Sequence, residues 1–112
     1  MTDDEDKKPD GYKIGSEKLC KVTDRAATQI ARLLKDQDRS FGALRLAVVG
    51  GGLSGLKYKF DLIDGPVAKD ILIITQNVKV VIDVKSALFV SGSTLDFCIE
   101  TDDFVVVNPK IN

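Results

Sequence analysis

The sequence predicts an α+β fold that is predominantly β: an N-terminal amphipathic helix packed on a compact mixed β-sandwich or partly open barrel of short strands. Three observations predict it. Apolar residues recur at helical spacing in one long stretch, from Ala26 to Leu34. Almost everywhere beyond it they alternate with period 2 in short runs. Glycine, asparagine and aspartate gather between those runs, where turns need them. At 112 residues the chain has room for a single domain, read as residues 12–112, behind an acidic tail at residues 1–11.

The tail MTDDEDKKPD carries clustered charge and little apolar surface, so it is expected to be disordered and solvated. Tyr12 to Ile14 is expected to lie against the domain, and Leu19 to Val22 reads as a short first strand. Thr23 offers a side-chain N-cap, and Asp24 puts a negative charge in the first helical turn. Ala26, Ala27, Ile30, Ala31 and Leu34 then form one apolar face, with Arg25, Gln29, Arg32 and Lys35 opposite, to about Asp36. Gln37 to Gly42 is a polar connection.

The stretch Ala43 to Asp64 organises the chain. Leu44, Leu46 and Val48 alternate in its first half, and Leu56, Tyr58, Phe60 and Leu62 in its second, so both halves read as strands. Helix residues Ile30 and Leu34 are expected to pack on Leu46, Phe60, Val80 and Ile82. Gly65-Pro66 marks a turn, and Ile71 to Ile74 with Val78 to Asp83 suggests an antiparallel pair broken at Gln76-Asn77. Lys85 to Leu88 is compatible with one helical turn. Thr94 to Glu100 reads as a strand, and Phe104 to Val107 as a strand buried on both faces. Asn108-Pro109 ends the regular structure.

Composition excludes several function classes. Seventeen acidic against 16 basic residues give a net charge of −1, which supports neither nucleic-acid nor anionic-membrane binding. No apolar run approaches a membrane span and no signal peptide is visible, so a soluble, cytoplasmic protein is expected. Two cysteines, Cys20 and Cys98, make no disulfide framework and suit a reducing compartment. Histidine is absent, which removes Ser-His-Asp and Cys-His catalysis and the Cys/His zinc patterns. Asp102-Asp103, the tightest acidic pair, reads as a turn between strands. No enzymatic activity is expected.

The candidate site is the loop Gly50, Gly51, Gly52, Leu53, Ser54, Gly55. Glycine tolerates positive φ and lets bare backbone approach a partner. Its spacing matches the dinucleotide fingerprint Gly-x-Gly-x-x-Gly, but that chemistry needs a helix to open at the last glycine. A period-2 run follows instead, so a glycine-rich β-connection is the preferred reading.

Six blocks in order resemble a known family. They are Leu44-Arg45-Leu46, Gly51 to Gly55, Tyr58, Val78 to Ser86, Thr94 to Phe97, and Val107-Asn108-Pro109, with Val22-Thr23-Asp24 and Ala26-Ala27 before them. The set is similar to the A-type iron–sulfur cluster carriers, the HesB/IscA-like domains, over roughly residues 20–109. The resemblance implies the HesB-like fold and three ligand cysteines, one inside the glycine loop and two in a Cys-Gly-Cys motif beyond Asn-Pro. Leu53 stands at the first of these positions, and Lys110-Ile111-Asn112 at the end of the sequence supplies no thiol. The expectation is therefore a degenerate member with no metal ligands, no cofactor, and Cys98 as a weak thiol candidate.

Three readings follow. The first is an accessory or regulatory protein of iron–sulfur cluster assembly, acting through protein contacts at the glycine loop, with assembly components as partners and a homodimer left open. The second is an interaction module unrelated to iron chemistry. The third is a small-ligand binder using the loop.

Overall fold

The computed structural model describes residues 11–50 and 55–108. Among them the elements run β1 (Lys13–Ile14), β2 (Cys20–Val22), α1 (Asp24–Asp36), β3 (Ala43–Gly50), β4 (Leu56–Ile63), β5 (Asp70–Thr75), β6 (Val78–Asp83), α2 (Val84–Val90), β7 (Ser93–Cys98) and β8 (Asp103–Val107). The strands form a five-stranded sheet, β1-β5-β6-β3-β4, and a three-stranded sheet, β2-β7-β8. The fold is α+β, mostly strand, with neither sheet closed on itself. Most of the tail reading falls outside the described residues; Gly11 itself is tied in, its carbonyl accepting the Lys69 amide at 3.2 Å.

Helix α1 begins as its sequence dictates. Thr23 Oγ1 accepts the Ala26 amide at 3.1 Å, and Asp24 sits in the positive first turn. Its apolar face buries Ala26, Ala27, Ile30 and Leu34. Ile30 and Leu34 join Leu44, Leu46, Val80, Ile82 and Leu95 in the main core, with Phe60 packed against it. Each such side chain, fully buried, contributes about 1.5–3 kcal/mol. The turn into β3 passes so close to β4 that a Cβ at Gly42 would sit 2.5 Å from the Ile63 carbonyl oxygen. Only glycine fits there.

Strands β3 and β4 pair antiparallel without a slip, from Ala43 opposite Ile63 to Gly50 opposite Leu56. Strands β5 and β6 form the second hairpin, turned by Gln76 (φ 51°) and Asn77 (φ 65°), the left-handed pair that suits the twist of a two-residue hairpin. Three pairings are parallel: β1 with β5, β2 with β7, and β3 with β6.

Four sequence expectations need correction. The first strand is Lys13–Ile14, too short to show any period. Val84–Val90 is a second helix of nearly two turns, capped by the Asp83 carboxylate accepting the Ser86 amide at 3.3 Å. Strand β7 stops at Cys98, because the chain must turn at residues 99–102 to enter β8. Strand β8 is not buried on both faces: it is the edge of the small sheet, with Val105 and Val107 exposed.

Candidate functional site

The two hairpin strands deliver the glycine connection at one end of the molecule. Gly50 has φ +74° and Gly55 φ +84°, a region that side-chain-bearing residues avoid. A Cβ at either would meet no atom within 4 Å, so the requirement is for backbone conformation and not for close packing. Gly51, Gly52, Leu53 and Ser54 lie outside the described residues. Leu56–Ile63 is a strand, so no helix opens behind the glycines to hold a pyrophosphate, and the dinucleotide reading fails.

Helix α2 supports this end. Past Leu46, β6 no longer pairs with β3, and the Val48 amide turns to Ser86 Oγ at 2.9 Å. Asp83 therefore starts α2, and Ser86 joins α2 to the hairpin. A cleft of about 490 Å³ lies between them, lined by Val48, Gly50, Leu56, Ser86, Leu88 and Phe89, with Lys85 at its side. Leu88 is 75% exposed, Phe89 44% and Val49 41%, which makes this an apolar end. Asn108, buried just after β8, donates from Nδ2 to the Phe89 carbonyl. The blocks Val78 to Ser86, the glycine hairpin and Asn108 thus converge in space.

Sequence reading missed Leu88 and Phe89. The available signal was local: with Ala87 and Val90 facing inward, the two residues between them on a helix point elsewhere.

The thiols are not brought to this end or to each other. Cys20 is wholly buried in the core, where desolvation pushes its pKa up. Cys98 is partly exposed at the far end of β7. The Thr101 hydroxyl, the Thr101 and Glu100 amides and the Arg25 charge pull its pKa down. Since Cys20 pairs with Ser93, Cys98 stands five residues further along β7, on the order of 16 Å away. Among the described residues no three His, Cys, Asp or Glu side chains gather as a metal set. Those residues do not fit an iron–sulfur cluster by themselves, because such clusters take several converging thiolates.

Residues 20–112 match the model of the iron-sulphur cluster biosynthesis family. The chain belongs to that family. Its relatives include the iron-binding protein IscA of Klebsiella pneumoniae, 38% identical over 92 residues, which are 80% of this chain and 85% of that protein. The crystal structure of Escherichia coli SufA, involved in biosynthesis of iron–sulfur clusters, matches with a TM-score of 0.74 and 27% identity over 83% of this chain and 82% of that one. A crystal structure of IscA with the [2Fe-2S] cluster matches with a TM-score of 0.69 over 80% and 85% of the two chains; at 22% identity it shows the shared fold.

These family members overturn the expectation of no cofactor. The Klebsiella relative is an iron-binding protein, and the IscA structure holds a [2Fe-2S] cluster. The expectation rested on the thiols missing at Leu53 and at residues 110–112, and these relatives point to iron or iron–sulfur binding instead. No helix among the described residues is long and apolar enough to cross a membrane.

Proposed function

We propose that this chain works in iron–sulfur cluster assembly as a carrier-like protein and not a catalyst, taking iron or a cluster as cargo while bound to another protein chain. The observation that carries the reading is the family match over residues 20–112, together with 38% identity to an iron-binding IscA. The separation of Cys20 from Cys98 supports shared ligation, since one chain's described thiols cannot meet on one centre. The contact runs through the glycine-hairpin end, where Gly50 and Leu56 share a cleft with the exposed Leu88 and Phe89. Two thiols without a disulfide suit a cytoplasmic setting.

Anaerobic incubation with ferrous iron and sulfide, followed by gel filtration with iron and visible-absorption readouts, tests this. Iron and absorption should travel with a species larger than one chain. Leu53→Asp should reduce that species with an unchanged circular dichroism spectrum. Cys98→Ser tells whether the exposed thiol is among the donors. Iron eluting with the single chain, or no iron in any fraction, overturns the reading.

A further inference from the structure

The two sheets each end in an open strand on the same side of the molecule, and the two edges are built differently. On β4 the outward residues are Lys57, Lys59 and Asp61, all exposed. Charged side chains of that kind block pairing with a further strand. On β8 the outward residues after Asp103 are Val105 and Val107, 37% and 60% exposed, with no lysine or proline from Asp103 to Val107. Its outer backbone edge pairs with no strand among the described residues. Natural edges are normally protected, so this one is conspicuous.

A groove of about 310 Å³ lies between the two edges, with Gln29 and Leu33 of α1 forming part of its wall. Phe60, Leu62 and Phe104 of the two edge strands, with Leu33, Leu44 and Phe97 behind them, supply its apolar lining, and Asp61, Asp102 and Asp103 its charge. Asp102 and Asp103 form no salt bridge among the described residues, and Glu100 is exposed in the same turn. Pairing beside β8 would therefore offer three things at once: backbone partners, a place for alternate apolar side chains, and negative charge at one end.

We infer that β8 is a strand-addition site for an extended segment of another protein, one with alternating apolar side chains and a lysine or arginine beside the turn at residues 100–103. Backbone hydrogen bonds would supply affinity and alternate pockets specificity. A second copy of this chain fits less well. The inward side chains of its own β8, Phe104 and Val106, already pack against its core and cannot fill a neighbour's groove. Charge chooses a basic end over an acidic one. The inference does not depend on whether the chain handles iron, and it uses the opposite edge of the small sheet from β2.

A capped hexapeptide TVTVKK, run against isotope-labelled protein, is the probe. Amide shifts should concentrate in residues 102–107 and near Phe60 to Leu62. The peptide TVTVEE should bind about tenfold more weakly, as expected for two exposed charge contacts. Asp102→Asn with Asp103→Asn should erase most of that difference, and as exposed changes they should leave the fold intact. Shifts elsewhere, or equal binding of the two peptides, overturn the inference. So do β8 shifts that depend on protein concentration without peptide, which would assign the edge to a second copy.

Discussion

Two arginine–aspartate pairs of equal length sit in very different surroundings. Arg45 and Asp70 meet at 2.9 Å on the large sheet, with side chains 28% and 3% exposed. Arg25 and Asp96 also meet at 2.9 Å, between α1 and the small sheet, but at 61% and 21% exposed. The first pair is bidentate, its second contact being Arg45 Nη2 to Asp70 Oδ1 at 3.2 Å, and the Val67 amide donates to the same carboxylate at 2.9 Å. Asp70 in turn holds the Arg45 pKa up, by hydrogen bonding more than by charge. The lesson is that distance says little about worth. Burial decides what happens when one partner is removed.

The largest expected effect follows from the buried pair. Arg45→Leu leaves Asp70 buried without its cation, and should cost about 3–5 kcal/mol in denaturant unfolding. Adding Asp70→Leu should recover much of that loss, since replacing both charges removes the orphan. A loss below about 1 kcal/mol for the single variant would make the two pairs equivalent and break the comparison.

On the small sheet the stronger element is Thr23, not arginine. Its hydroxyl donates to Asp96 Oδ1 at 2.6 Å while accepting the Ala26 amide, so Thr23→Ala removes a helix cap and a carboxylate partner together. The cost should be about 1–2 kcal/mol, at the upper end of cap losses. Arg25→Ala should cost less than about 1 kcal/mol, and the difference should shrink at high salt.

The smallest effect is one of pH. The Thr23 hydroxyl, then the Phe97 amide, hold the Asp96 carboxyl below its ordinary value. A carboxyl lowered in the folded state stabilises fully above its unfolded value of about 3.9, and loses that contribution as pH falls through the folded value. Thermal unfolding of Asp96→Asn should therefore vary less with pH below about 4 than the parent protein. An unchanged acid limb would show that the exposed network has no linkage to folding.

Legibility in the sequence followed the length of each pattern. Helix α1 and the β3–β4 hairpin were readable because a face repeated over several turns or pleats, and Thr23 announced the cap. Helix α2 was not, since seven residues starting straight from a strand give too few repeats, although Asp83 three residues before Ser86 is a capping signal. Strand β8 misled for a different reason. Phe-Val-Val-Val reads as fully buried, but its position at an edge is set by which strand arrives beside it. At the candidate site Gly50 and Gly55 were legible from residue type alone. The apolar pair Leu88–Phe89 depended on how a short helix sat on the hairpin. The cofactor expectation was drawn from residue types at the matched positions, Leu53 above all, and it was the iron-binding relative and the [2Fe-2S] structure that overturned it.

Residues 13–22 tie the two sheets to each other. Strand β1 belongs to the large sheet and β2 to the small one, so residues 13–22 bridge both, and each pairs in parallel with a strand from the second half of the chain. Such pairings close long loops, and loop closure slows folding more than local contacts do. The β1–β5 and β2–β7 pairings, Val22 opposite Leu95 among them, are therefore expected to carry a larger loop-closure cost than the β3–β4 hairpin. Residues 13–22 are thus a clasp across the two sheets, added to the core that α1, Leu46, Ile82 and Leu95 already share.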